Sequence, residues 1–136
     1  MGLLKEVIIE VCECMKDDVV TIKSLKHNIK TFCENRDWDQ FHNPKDLAIG
    51  ISTEANELLD LFRFKSESEI KKMMKDINKR KAIGEELADV FYFVIRFAQM
   101  NDFDLSDELQ KKIKENEKKY PISKARGSNK KYNEMG

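Results

Sequence analysis

Proline and glycine are scarce in this chain, two and five among 136 residues. No stretch shows a sustained alternation of apolar and polar residues bounded by turn residues, so strand signals are missing throughout. The two absences together predict an all-α fold. No apolar run approaches 18 residues, which leaves no membrane-spanning helix to expect. Residues 1–15 include Glu6, Glu10 and Glu13, unlike a secretory signal peptide. Three cysteines, Cys12, Cys14 and Cys33, form neither a disulfide framework nor a metal motif, and an odd count fits reduced thiols in a cytoplasmic protein. Excess charge of either sign is also lacking: 25 Lys and Arg balance 25 Asp and Glu. Bulk electrostatics therefore favours no polyanionic partner, and neither a membrane surface nor a nucleic acid is expected.

What the chain does contain is periodic. Its length suits one domain with a real core. Leu4, Ile8, Val11 and Met15 make an apolar stripe, so a short helix is expected over 3–16, within an N-terminal extension of residues 1–20. Thr21 or Asp18 suits the cap of a second helix reaching about Arg36, with Ile22, Leu25, Ile29, Phe32 and Cys33 inward. Asn43-Pro44 opens a third, expected to end near Phe64, since Asn favours the N-cap and Pro the first helical position. Ser66-x-x-Glu69 is a capping box for a short helix with Ile70, Met73 and Ile77 inside. A long helix follows from about Lys79 to Met100. Asp104 then caps a last one running from Leu105 to about Lys119, with Leu105, Leu109 and Ile113 on its inner face. The expectation is a helical bundle with a core of four to five helices over 21–120 and a basic tail over 121–136.

Two of these helices carry acids where leucines belong. One stripe reads Leu47, Ile51, Glu54, Leu58, Leu61 and the other Ile83, Glu86, Val90, Phe93, Phe97. At 3.6 residues per turn Glu54 and Glu86 fall near the centres of the apolar faces, with Glu57 and Asp89 flanking them. Chance spacings of this kind abound in a Glu-rich chain and mostly lie on solvated faces. Two matched pairs that both interrupt an apolar stripe are a different matter, because buried carboxylates need a compensating charge. Asp60 and Glu85 point further round and serve as comparisons. Oxygen ligands without imidazole or thiolate suit Mg²⁺, with Mn²⁺ as substitute. Neither His27 nor His42 stands at the Glu-x-x-His spacing of a di-iron bundle. Mg²⁺ commonly completes its shell with substrate phosphates, which hints at a phosphoryl substrate.

Two further segments are candidates. Lys111–Lys131 holds nine Lys or Arg against two Glu, which reads either as a solvated end or as a clamp for phosphate oxygens. Tyr120 within it and Tyr132 just after it are the only aromatics of this end, too few for single-strand stacking. Trp38, Phe41 and His42 read either as a structural anchor or as part of a base pocket. In the second version Trp38 and Phe64 stack on a nucleobase with Arg36, Asp37 and His42 nearby.

The acid quartet also resembles a known signature. Glu54-x-x-Glu57, a 28-residue spacer and Glu86-x-x-Asp89 are similar to the MazG-like all-α nucleoside triphosphate pyrophosphohydrolases. Arg36-Asp37-Trp38-Asp39-Gln40-Phe41-His42-Asn43-Pro44, Glu85-Glu86-Leu87-Ala88-Asp89-Val90 and Lys119-Tyr120-Pro121-Ile122-Ser123-Lys124-Ala125-Arg126-Gly127 resemble the dCTP pyrophosphatase branch over about residues 21–132. The resemblance implies Mg²⁺ on Glu54, Glu57, Glu86 and Asp89, and hydrolysis of a nucleoside triphosphate to monophosphate and pyrophosphate. It implies a homodimer or a homotetramer of two dimers. It places Trp38 and Phe64 beside the base and Lys112, Asn116, Lys119 and Tyr120 near the phosphates. Lys124 and Arg126, in the third matching segment, join that set, and His42 and Phe93 complete the substrate-contact candidates. Departures are Ile29 where some relatives have His, Phe93 at a tyrosine-like position, and Phe64 where Trp is common; they leave the base open. Glu54 or Glu57 would serve as general base. The alternative is a non-catalytic module on the same fold that binds Mg-nucleotide or protein.

Overall fold

The structure is a computed structural model that describes residues 16–136, so the helix expected over 3–16 lies almost wholly outside the described residues. Every element in the described residues is helical. After a turn at Asp17–Val19, α1 runs Ile22–Glu34. Thr21 is its cap: its side chain accepts from the Ser24 N–H, and the Ser24 hydroxyl accepts in turn from the Thr21 N–H. Serine thus fills the position where a capping box usually has Glu or Gln. The helix stops two residues short of Arg36. There the Asn35 N–H turns back onto Thr31 and Cys33 carbonyls, and Asp37 takes a left-handed φ of 55°, a conformation Asp tolerates. A single 3-10 turn, Asp39–Phe41, follows.

Helix α2, Pro44–Asp60, opens as expected, with Asn43 accepting from the Asp46 N–H and Pro44 in the first turn. It ends earlier than expected, the chain passing through turns to Phe64, whose φ is 59°. The Ser66–Glu69 capping box starts α3, Glu67–Met73. Ile70 and Met73 are half-buried, but Ile77 is 81% exposed. Asp76 explains the correction: it caps α4, Ile77–Met100, so Ile77 is the first residue of the next helix rather than the inner face of α3.

Helix α4 is the spine of the first unit. It packs along α2 and against α1, and the buried side chains gather on these three helices: Cys33 from α1, Leu47 from α2, and Ile83, Ile95, Arg96 and Ala98 from α4. Helix α2 approaches α4 tightly at Gly50. A Cβ there would sit 2.5 Å from Phe93 Cε1, so only glycine lets the ring lie against the α2 backbone. Among the described residues, few apolar side chains are fully enclosed. Ile49 and Leu59 on α2, and Leu87 and Phe91 on α4, are about half exposed or more.

The described residues divide into two compact units, the first ending at Asp102 and the second spanning Phe103–Gly136. In the second, α5 covers Leu105–Lys119 with Asp104 as cap, matching the expected bounds. Leu105 is half-buried, whereas Leu109 and Ile113, expected inward, are exposed. Short helix α6, Ile122–Ala125, and a 3-10 turn at Tyr132–Glu134 follow. The tail is not featureless: Tyr132 meets Tyr120 edge to face at 6.1 Å, and Lys124 Nζ donates to the Gly136 carbonyl at 2.5 Å. Gly127, at φ 75°, supplies the left-handed turn between them.

Candidate metal and nucleotide site

Glu54 and Glu57 stand three apart on α2, and Glu86 and Asp89 three apart on α4, so each pair shares a helix face. Packing of the two helices brings the faces together. One ligand oxygen each from Glu54, Glu57 and Glu86 lies within 4.8 Å of the others. Oxygens bound to one hard divalent cation sit roughly 4–5 Å apart across the ion, so the spacing suits a shared cation. Asp89 is outside that tight trio, yet its charge is felt at both Glu54 and Glu86.

Among the described residues no ion pair with Lys or Arg is identified for Glu54, Glu57, Glu86 or Asp89. Glu54 and Glu86 are half-buried, Glu57 and Asp89 exposed. Burial, first, and then the charges of Glu57 and Asp89 hold the Glu54 carboxyl above the ordinary carboxylate range. Glu86 is raised likewise, by burial first and then by Glu57, Asp89, Glu54 and Glu85. Glu86 Oε2 is buried with no hydrogen-bond donor, the one such side-chain oxygen or nitrogen identified among the described residues. Buried polar atoms are nearly always paired. An orphaned carboxylate oxygen amid three further acids, in an all-oxygen donor set, fits a hard cation.

Beside the acids is an open cleft of about 590 Å³ lined by Thr53, Asn56, Glu57, Asp60, Leu61 and Glu86. Asp60 therefore faces the cleft, contrary to the sequence expectation, while also pairing with Arg63 at 3.7 Å. Glu85 keeps to the outer face, paired with Lys81 at 3.9 Å.

A second cluster is aromatic and links α1 to α4. Trp38, whose N–H donates to the Cys33 carbonyl, meets Phe32 edge on at 5.6 Å and His42 at 6.2 Å. Phe32 continues to Tyr92 at 6.3 Å, and Tyr92 to Phe93 at 5.2 Å. The Arg36 guanidinium lies 3.8 Å from the Phe32 ring centre. Tyr92 Oη is 3.1 Å from the buried Cys33 Sγ; burial first, and then this contact, pushes the Tyr92 phenol upward. Trp38 is 38% exposed, anchored on one side and open on the other. Phe64 is 90% exposed and joined by a ring contact to Arg63, with no ring contact to Trp38 identified among the described residues.

Sequence reasoning missed Arg96. It is 1% exposed and donates from Nε to His42 Nδ1 at 3.0 Å, from Nη1 to Gln99 Oε1 at 2.5 Å, and from Nη2 to Asp39 Oδ1. The signal was available: a lone charge inside the apolar run Phe93–Ala98 is the same anomaly that singled out Glu54 and Glu86. Of the candidates on the second unit, Lys112 pairs with Glu115 at 3.4 Å. The Lys119 ammonium lies 5.6 Å from the Tyr132 ring centre, and Lys124 donates to the Gly136 carbonyl. Asn116 accepts the Tyr120 N–H through its backbone, and Arg126 closes α6.

Facing helices that each present a Glu-x-x-acid pair make a helical protein with a shared carboxylate cluster. The model of the MazG-like family matches residues 49–135. Similar proteins include dCTP pyrophosphatase 1 of Mus musculus and of Homo sapiens, each 32% identical over 115 residues, spanning 85% of this chain and 68% of the relative. The crystal structure of a pyrophosphatase from Archaeoglobus fulgidus superimposes with a TM-score of 0.68 at 29% identity, covering 73% of this chain and 91% of that one. The chain belongs to the MazG-like family. No helix among the described residues is long and apolar enough to cross a membrane.

Proposed function

We propose that the chain hydrolyses a nucleoside triphosphate, dCTP or a related or modified pyrimidine deoxynucleotide, to the monophosphate and pyrophosphate, clearing the nucleotide pool. The observation that carries this reading is the trio Glu54, Glu57 and Glu86 with the unpartnered Glu86 Oε2, in a chain whose relatives are named dCTP pyrophosphatase 1. Glu54, Glu57, Glu86 and Asp89 would hold Mg²⁺, with Mn²⁺ as substitute. When bound, the ion offsets the charge of the phosphate oxygens and lowers the pKa of a water.

The chain's own groups do the rest. Glu54 or Glu57 takes the proton of the attacking water. The water oxygen bonds to the α-phosphorus as the bond from that phosphorus to the bridging oxygen breaks, and the electron pair leaves with pyrophosphate. Trp38 and Phe64 stack on the base, with His42 and Phe93 as further contacts. Lys112, Asn116, Lys119, Tyr120, Lys124 and Arg126 bind the phosphate oxygens, where charge-assisted hydrogen bonds are strongest. The half-exposed apolar side chains Ile49, Leu59, Leu87 and Phe91 support assembly as a homodimer or homotetramer. A buried free thiol at Cys33 fits a cytoplasmic setting.

The test is pyrophosphate release from a panel of ribo- and deoxynucleoside triphosphates with Mg²⁺ and with chelator, in wild type, Glu54→Gln and Glu57→Gln. We expect Mg²⁺-dependent release favouring pyrimidine deoxynucleotides and its loss in both variants, since each removes a carboxylate of the proposed metal set. Binding without hydrolysis across the panel would leave only a nucleotide-binding module.

A further inference from the structure

Arg96 is a fully buried cation whose three kinds of N–H are directed at three different acceptors. Two of them, Asp39 and His42, lie on the segment that carries Trp38, and the third, Gln99, lies three residues on along α4. Burying a guanidinium is costly unless its donors are met. An apolar residue would have filled this place in α4 as well, so the charge has another use. Arg96 stands seven residues beyond Asp89 and three beyond Phe93 on one continuous helix. Residues at these intervals fall on one side of a helix, and seven residues span about 10 Å of axis. Arg96 thus ties the Trp38–His42 segment to the helix that carries half of the acid quartet.

The contact also sets the chemistry of His42. Arginine carries only donors, so an Nε–H directed at His42 Nδ1 at 3.0 Å requires a lone pair on that nitrogen. The neutral ring then bears its proton on Nε2. Burial first and the Arg96 charge next push the His42 imidazolium below its ordinary range, with Asp39 opposing; both leading causes favour the neutral ring. The edge contact with Trp38 couples the two rings, so one arginine positions the pair.

We propose that Arg96 is a positioning residue for the hydrolysis: it clamps the Trp38–His42 segment to α4 and fixes His42 as the Nε2–H tautomer, a hydrogen-bond donor to substrate. The proposal rests on the functional reading above for the reaction and on geometry alone for the clamp. A lysine cannot replace the fork, having one compact ammonium instead of three directed groups.

The experiment is long-range proton–nitrogen NMR of the ¹⁵N-labelled chain, with His27→Gln to assign the two histidine rings, alongside steady-state kinetics on dCTP. In wild type we expect His42 Nδ1 unprotonated and Nε2 protonated. Arg96→Met should mix the tautomers and raise KM about tenfold, the order expected for losing a hydrogen bond to a charged group, while kcat stays within about threefold. Arg96→Lys should fail to restore KM. His42→Asn keeps an acceptor near the Nδ1 position and loses the Nε2 donor, so it should fold like wild type and still show the raised KM; it carries the test if Arg96→Met does not fold. A wild-type ring protonated on Nδ1 would overturn the proposal. So would wild-type KM in Arg96→Met or in His42→Asn. A wild type that releases no pyrophosphate would overturn the functional reading instead, and the ring spectrum would still decide whether Arg96 sets the tautomer.

Discussion

Replacing Gly50 by alanine sets two effects of similar size against each other. Alanine favours a helix interior over glycine by about 1 kcal/mol. Its Cβ, however, would stand 2.5, 2.6 and 2.8 Å from three atoms of the Phe93 ring, where carbon atoms at ease are about 3.5–4 Å apart. Ring or helix must therefore yield by about 1 Å, and overpacking of that kind costs about 1–3 kcal/mol. Gly84 provides the control. It lies inside α4, and a Cβ there meets nothing within 4 Å, so Gly84→Ala should keep the propensity gain and raise Tm. The difference between the two variants isolates the overpacking. At a few degrees per kcal/mol, thermal melts should separate them by at least about 3 °C, with Gly50→Ala the lower. Gly50 is four residues before Glu54, and Phe93 four after Asp89. Prising the helices apart there should also weaken metal-dependent activity, which Gly84→Ala should preserve. Equal gains in Tm for both variants would refute the close packing on which the site's geometry depends.

Three further outcomes follow from the same structure. Without metal, Glu54 and Glu86 hold protons in the folded state above the ordinary value of 4.5, so their contribution to stability falls as pH rises from 4.5 through the raised folded-state values. Melts with chelator should show that fall in wild type, Mg²⁺ should offset it, and the double variant Glu54→Gln, Glu86→Gln should lack it; pH profiles that coincide would contradict the reading. Trp38→Ala should raise KM about tenfold or more, the scale of one stacked base, and Trp38 emission should change when a non-hydrolysable dNTP binds; an unchanged KM in a folded variant would make Trp38 a structural anchor only. Deleting 121–136 should raise KM and flatten its dependence on ionic strength, whereas identical curves would mean the tail contributes no phosphate contact.

The helices were readable because their ends carry strong local chemistry. Asn43-Pro44, the Ser66–Glu69 box and Asp104 cap the helices they were expected to cap. Where caps are ambiguous, bounds moved: Asp76, not considered as a cap, starts α4 two residues early and turns Ile77 outward. The acids Glu54 and Glu86 were readable because a carboxylate at a core position is an anomaly any periodicity exposes. Arg96 stands out as a lone charge in an apolar run, but its partners, Asp39 and His42, are more than fifty residues away, a pairing that only tertiary packing creates. Gly50 was silent for a similar reason, since its role exists only once Phe93 is laid across it. The exposure of Leu109 and Ile113 was not readable either: a stripe states which residues share a face, not what covers that face.

Whether the facing acid pairs form a divalent-cation site is tested by Mn²⁺ binding, followed by electron paramagnetic resonance in the absence of nucleotide. Free Mn²⁺ should be depleted by wild type. The depletion should be lost in Glu86→Gln, with the helical circular dichroism unchanged. Equal Mn²⁺ binding by wild type and Glu86→Gln would contradict the assignment of these carboxylates as the metal site.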